Sequence, residues 1–186
     1  MKQNFHTEEN EGQSRLRTVL SWAVNLAVVV TLALFVVMMF GDRVTVAGRS
    51  MEPELASDDV VLLNKLWYNF GKPKRMDVVA FTGKDNAEKI YVKRIVGLPG
   101  ETVEIRGGSL YIDGTETPLP GDGRLMAAGL AEAGVTLGEG EYFVLGDDPE
   151  TSEDSRFANV GSVERNQILG KVWFRISPLS RLGFVN

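Results

Sequence analysis

One serine and one lysine carry the chemistry this sequence can do. Ser50 stands in Gly48-Arg49-Ser50-Met51-Glu52-Pro53, with Gly41 to Arg49 separating it from a long apolar run, and Lys93 stands in Lys89-Ile90-Tyr91-Val92-Lys93-Arg94-Ile95-Val96. The lone histidine, His6, lies on the far side of that run, and there is no cysteine. Ser-His-Asp and Cys-His constellations are therefore excluded for everything after the run. A serine nucleophile here needs another base, and the remaining candidate is a lysine.

An ordinary lysine, with a pKa of about 10.4, is almost wholly cationic at neutral pH and takes no proton from a hydroxyl. Lys93 lies in a segment apolar enough to be half buried, and period-two alternation puts it on the face of Tyr91 and Ile95. Desolvation disfavours the ammonium form, and a fall of about three units, costing roughly 4 kcal/mol, yields a usable base. Gly48 ahead of Ser50 and Pro53 behind it suggest a fixed, exposed bend where a hydroxyl and a backbone N–H face a substrate together. On these residues alone two plainer readings stay open: a strand-edge lysine with its amine in water, and a serine that only starts a turn.

A third polar stretch, GDDPETSEDSR at 146–156, follows an apolar segment. Asp154 and Arg156 are close enough to pair across a turn, and Ser152 can exchange a hydrogen bond with a neighbouring amine. The loop's five acidic residues lack the order and flanking helices of an EF-hand, so no metal is expected, nor any cofactor.

Residues 18–40 read TVLSWAVNLAVVVTLALFVVMMF, 23 uncharged residues, long enough to cross a hydrocarbon core of about 30 Å at about 1.5 Å per residue. The run ends in bulky Met38-Met39-Phe40 rather than in a small-residue cleavage site, which makes it an uncleaved anchor. Residues 1–17 form a tail whose polar part before Arg15 is expected to be disordered, and 41–186 are enough for one domain with its own core. Arg15 and Arg17 before the span against Arg43 and Arg49 after it leave a small bias, read as an N-terminus in the cytoplasm. A net charge of −5 with mixed signs argues against a nucleic-acid partner.

Past the anchor, short β-branched segments separated by turn residues predict a mainly β domain: 44–46, 60–63, 77–81, 90–96, 102–105, 110–112, 142–145 and 172–176. Gly107-Gly108 between alternating Val103, Ile105 and Leu110, Ile112 makes a hairpin. Residues 115–140, rich in Gly, Ala and Pro, read as an excursion with a short helix over 125–133. The aromatics of Leu66-Trp67-Tyr68-Asn69-Phe70 suit either a membrane interface or the core.

The order of anchor, SMEPEL, RMDVVAF, YVKRIVGLPGE and GDDPETSEDSR resembles the type I signal peptidases, membrane-bound serine-lysine proteases of exported proteins. The resemblance implies a single N-terminal transmembrane helix followed by one extracytoplasmic antiparallel β-sheet catalytic domain with a small inserted cap region. It implies Ser50 as nucleophile, Lys93 as general base, Ser152 orienting the lysine amine, and Asp154 and Arg156 supporting the site with Arg94 as a partner. Shallow apolar pockets map to Val46, Val61 and Val92 and would accept the Ala-x-Ala pattern before the scissile bond. The implied partners are signal peptides of preproteins, the lipid bilayer and the nearby translocation machinery; the implied location is a bacterial cell membrane, crossed once. Ala131-Glu132-Ala133 matches that same pattern and is a place where one copy could cut another.

Four positions depart from the family: Glu54 for threonine, Asp148 for asparagine, Pro149 for arginine and Met76 for glycine. All spare Ser50, Lys93 and Ser152. A LexA-type self-cleaving protease also uses a Ser-Lys pair, but the span and the lack of a DNA-binding domain oppose it. A non-enzymatic anchored β-domain is opposed by the intact Ser50, Lys93 and Ser152.

Overall fold

A computed structural model describes residues 5–40, 42–65, 68, 71–84, 88–119 and 124–185. The chain divides into two compact units, residues 1–39 and 40–186. The first is helix α1, Phe5–Phe40, within which Arg15–Val36 is long and apolar enough to cross a membrane. The helix thus begins well inside the tail expected to be disordered. Extending an existing helix adds about one hydrogen bond per residue without a new nucleation cost, so the apolar run carries the polar residues with it.

The second unit is built from strands β1 (Arg43–Thr45), β2 (Val60–Asn64), β3 (Val78–Thr82), β4 (Ile90–Gly97), β5 (Thr102–Arg106), β6 (Ser109–Ile112), β7 (Thr115–Thr117), β8 (Val135–Thr136), β9 (Glu141–Leu145), β10 (Val163–Glu164), β11 (Ile168–Ser177) and β12 (Gly183–Phe184). One sheet runs β1-β2-β11-β3-β4-β9-β10 with β12 on β11, and the other runs β7-β6-β5-β8. All pairings are antiparallel. The fold is mainly β, as the spacing of β-branched residues predicts.

The β5–β6 hairpin pairs Val103 with Ile112 and Ile105 with Leu110. Its turn residues Gly107 and Gly108 have φ of 58° and 87°, the two left-handed positions a tight hairpin needs. These strands supply Val103, Ile105, Leu110 and Ile112 to a core shared with Phe143 and Leu145 of β9. A second core lies around Val61, Leu63, Val78 and Val172, and a third around Val79, Phe81, Ile95 and Val144.

The excursion over 115–140 is less separate than its composition implies. Its two ends return to the small sheet as β7 and β8, beside β6 and β5. In place of a helix over 125–133 there is one 3₁₀ turn, Gly129–Glu132. Of Ala131-Glu132-Ala133, Ala131 is fully buried in that turn while Glu132 and Ala133 are exposed. Of Leu66 to Phe70 only Tyr68 is described; it is buried, with its hydroxyl donating to Asp77 Oδ2 at 3.0 Å, and the other four lie outside the described residues. Met76, where a glycine was expected, takes φ of 71°, a left-handed conformation costing a β-carbon-bearing residue about 1 kcal/mol.

Candidate active site

Lys93 sits mid-strand on β4, opposite Val79 of β3. β4 lies between β3 and β9, so it is covered on both edges and its buried face gives the amine little water. Lys93 is 4% exposed. Its Nζ donates to Ser50 Oγ at 2.5 Å. Burial drives the Lys93 pKa down to about 8; the carboxylates of Asp154, Glu153 and Asp147 pull it back upward, and Lys89 pushes it further down. At pH 7 a pKa of about 8 leaves about a tenth of the amine neutral, against about 0.03% for an unshifted lysine. Burial therefore enlarges the pool of usable base roughly three-hundredfold.

Ser50 occupies a turn between β1 and β2. Met51 and Leu55, both fully buried, anchor the inner side of the turn, and Leu55 N–H donates to the Met51 carbonyl at 2.8 Å. Gly48, with φ of 83°, lets the chain double back before the serine. Behind Ser50, its carbonyl accepts from Asp148 N–H at 3.1 Å, tying the Ser50 turn to the loop after β9.

That loop is stapled from within. Asp154 Oδ1 accepts from Arg156 Nε at 2.8 Å, and Asp154 Oδ2 accepts from Arg156 Nη2 at 3.0 Å and from Gly146 N–H at 3.2 Å. Arg156 Nη2 also donates to the carbonyls of Pro149 at 2.9 Å and Ser152 at 3.4 Å. Both residues of this pair are almost completely buried, a geometry in which paired hydrogen bonds must satisfy the charges. Arg94 is not part of it. Its guanidinium grips Asp147 instead, Nε to Oδ1 at 2.8 Å and Nη2 to Oδ2 at 2.6 Å, and Nη1 reaches the Met76 carbonyl at 3.1 Å. Asp147 was legible in the sequence only as one of a run of acids. Alternation on β4 sends Arg94 to the face opposite Lys93, which separates it from the Asp154–Arg156 pair.

Ser152 is buried, and its hydroxyl has no hydrogen-bond partner among the described residues. The lysine amine is turned to Ser50 rather than to Ser152. Gly146 is the residue sequence reasoning missed. A β-carbon there would lie 2.3 Å from Ser152 Oγ and 2.3 Å from the Ser50 carbonyl oxygen. Only a glycine lets the two serine-bearing segments close on each other, and the signal was present as the Gly-Asp step directly after an apolar strand. If Ser50 and Lys93 react together, Gly146→Ala is expected to lower the rate of that reaction at least about tenfold while the protein stays folded, because one of the two clashes is with the Ser50 backbone. Initial rates with circular dichroism on the same sample check this.

Val46, Val61 and Val92 come together in one apolar cluster with Met51, the neighbour of Ser50. Their exposures are 3%, 0% and 7%, so none is an open pocket wall in this structure. The carbonyls of Glu54 and Pro149 accept from Arg175 and Arg156, and the Asp148 carboxylate receives Glu150 N–H at 3.1 Å and Thr151 Oγ1 at 2.7 Å.

A family model described as signal peptidase, peptidase S26, matches residues 19–177. Signal peptidase I of Bacillus caldolyticus is 39% identical over 175 residues, covering 88% of this chain and 92% of its own. Signal peptidase IB of Staphylococcus aureus strain COL is 32% identical over 180 residues, again covering 88% and 92%. The crystal structure of a signal peptidase I from Enterococcus faecalis V583 matches with a TM-score of 0.46 and 33% identity, over 55% of this chain and 97% of that one.

Proposed function

Since the chain belongs to the signal peptidase family, peptidase S26, we propose that it removes signal peptides from exported preproteins with Ser50 as nucleophile and Lys93 as general base. The 2.5 Å contact between a buried lysine amine and a serine hydroxyl is the observation that carries this reading. Neutral Lys93 takes the Ser50 proton as Oγ attacks the scissile carbonyl, and the Ser50 backbone N–H faces the developing oxyanion. The ammonium then gives its proton to the departing amine of the mature protein. Water, deprotonated by the same lysine, attacks the acyl-enzyme; the ester bond to Ser50 Oγ breaks, the ammonium returns its proton to Oγ, and the signal peptide leaves with a new carboxyl terminus.

The other residues act through these two. Asp154 and Arg156 hold the 146–156 loop shut, which presents Ser152 and leaves Gly146 room to close. Ser152 is assigned to orient the lysine amine, on the resemblance and on its buried hydroxyl, which has no partner among the described residues. Val46, Val61 and Val92 are assigned as the floor of pockets for small side chains, which suits an Ala-x-Ala pattern. Helix α1 anchors the enzyme, with residues 1–17 in the cytoplasm and 41–186 on the far side of a bacterial membrane. Anchoring confines enzyme and substrate to one surface and raises their effective concentration.

The testing experiment is cleavage of a preprotein bearing an Ala-x-Ala site by the detergent-solubilised chain, with the cut located by mass spectrometry. The pH dependence has a definite sign. The base must be deprotonated, so kcat/KM is expected to fall tenfold per pH unit below about 8 and to level off above it. A profile flat from pH 6 to 9, or one still climbing tenfold per unit at pH 10, contradicts Lys93 as the depressed base.

A further inference from the structure

Three charged side chains outside the catalytic pair converge on the turn that carries Ser50. Asp59 is 2% exposed and accepts from Ala56 N–H at 3.0 Å. Arg175 of β11 donates through Nη1 to the Glu54 carbonyl at 2.6 Å, with the same nitrogen 3.4 Å from Asp59 Oδ2. Arg181, beyond the end of β11, donates through Nη2 to the carbonyls of Pro53 and Glu54, both at 3.3 Å, and its Nη1 lies 3.3 Å from Asp59 Oδ2. Arg175 Nε closes the group by donating to the Arg181 carbonyl. Asp59 is itself fixed to the end of β1, since its carbonyl accepts from Val46 N–H at 2.8 Å.

As a source of stability this cluster is inefficient. Desolvating a carboxylate and most of two guanidiniums offsets much of their attraction, whereas water would satisfy turn carbonyls without that cost. What the cluster does supply is a fixed outer edge for the nucleophile turn, matching the apolar anchors Met51 and Leu55 on its inner edge. Lys93 needs no such help, because β4 is held on both sides by neighbouring strands. The relative position of the two reacting groups therefore depends on the turn.

We propose that Arg175 and Arg181, held by Asp59, are positioning residues for acyl transfer: by gripping the Pro53 and Glu54 carbonyls they fix Ser50 Oγ and the Ser50 N–H relative to Lys93. The inference rests on the Ser50/Lys93 reading. A misplacement of about 1 Å between reacting groups costs about a hundredfold in rate, and substrate binding away from the turn is untouched. The signature is therefore a fall in kcat at constant KM.

The test uses the full chain in detergent micelles, a preprotein with an Ala-x-Ala site, and the variants Arg175→Gln, Arg181→Gln, their double, Arg175→Lys and Ser50→Ala. Arg175→Gln is expected to lower kcat about ten- to hundredfold with KM within about twofold and the apparent pKa near 8 retained, and Arg181→Gln to do the same more mildly. The double variant should be little worse than Arg175→Gln, since both arginines hold one turn, and Arg175→Lys should recover part of the loss. If Arg175→Gln does not fold, the more exposed Arg181→Gln carries the test. Folded variants with kcat within twofold of wild type, while Ser50→Ala is inactive, overturn the positioning role and leave the Ser50/Lys93 pair standing. A raised KM at unchanged kcat, or a displaced apparent pKa, also overturns it. Activity surviving in Ser50→Ala overturns the pair and the positioning role with it.

Discussion

Ser50→Ala and Lys93→Met are each expected to reduce preprotein cleavage by about three to four orders of magnitude, and the double variant to be no worse than either single one. The non-additivity follows from the geometry. In the proposed mechanism Lys93 acts only by taking the proton of Ser50 Oγ, 2.5 Å away, so once either atom is gone the other has no task. The residue left behind still has the fold, the apolar cluster and the backbone N–H groups, which accounts for any rate above that of uncatalysed hydrolysis. KM is expected to change little in all three, because neither side chain holds the substrate's remote parts. Single-turnover cleavage at saturating enzyme measures this, with the wild type followed in parallel at pH 9. A Lys93→Met enzyme within tenfold of wild type would remove the lysine from the mechanism.

Much of this site is legible in the sequence because each chemical requirement leaves a local trace. With no histidine after the anchor and no cysteine, a serine nucleophile is left with an amine as its base, and the β-branched run around Lys93 supplies the burial that an amine base requires. Eight strands of the domain show as β-branched clusters, and the structure places a strand at every one of them. What the sequence hides is of two kinds. β7, β8, β10 and β12 are two or three residues long, too short for alternation to register, and they exist because longer neighbours offer them an edge. Pairing choices are hidden as well. Asp147, Asp148 and Asp154 look alike in a polar run, and only the fold assigns Asp147 to Arg94 and Asp154 to Arg156.

Gly146 and Met76 make the same point from opposite sides. Gly146 looks like any residue closing a strand, yet the approach of Ser152 to the Ser50 backbone leaves no room for a β-carbon there. Met76 stands where the family resemblance calls for glycine, and the backbone keeps the left-handed conformation all the same. Its N–H donates to the Ile95 carbonyl at 2.8 Å and its carbonyl receives Arg94, so the hydrogen bonds made through that conformation outweigh the side chain's preference. A backbone requirement can be met at a cost in conformational energy; a steric one cannot.

The most demanding consequence of the buried Lys93 amine concerns stability rather than rate. Lys93→Met is expected to make the inactive enzyme more stable than wild type at pH 6 to 7, by about 2 kcal/mol. A folded-state pKa of about 8 against 10.5 unfolded means the folded chain disfavours the ammonium by roughly 3 kcal/mol. Loss of the hydrogen bond to Ser50 Oγ returns about 1 kcal/mol of that gain. The sign follows from proton counts. Between pH 8 and 10.5 the unfolded chain binds more protons at this residue than the folded one, so wild-type stability rises with pH across that window. Below about pH 8 both states are protonated and the penalty is present in full; above about 10.5 it is gone. The advantage of the methionine variant should therefore be constant below pH 8, shrink through pH 8 to 10.5, and reverse slightly beyond. Denaturant unfolding of both full-length proteins in the same micelles, at pH 6, 7, 8, 9, 10 and 11, gives the difference directly, and the other titrating groups cancel in it. A difference independent of pH would mean that Lys93 keeps an ordinary amine, and that an unassisted Ser50 hydroxyl would have to find its base elsewhere.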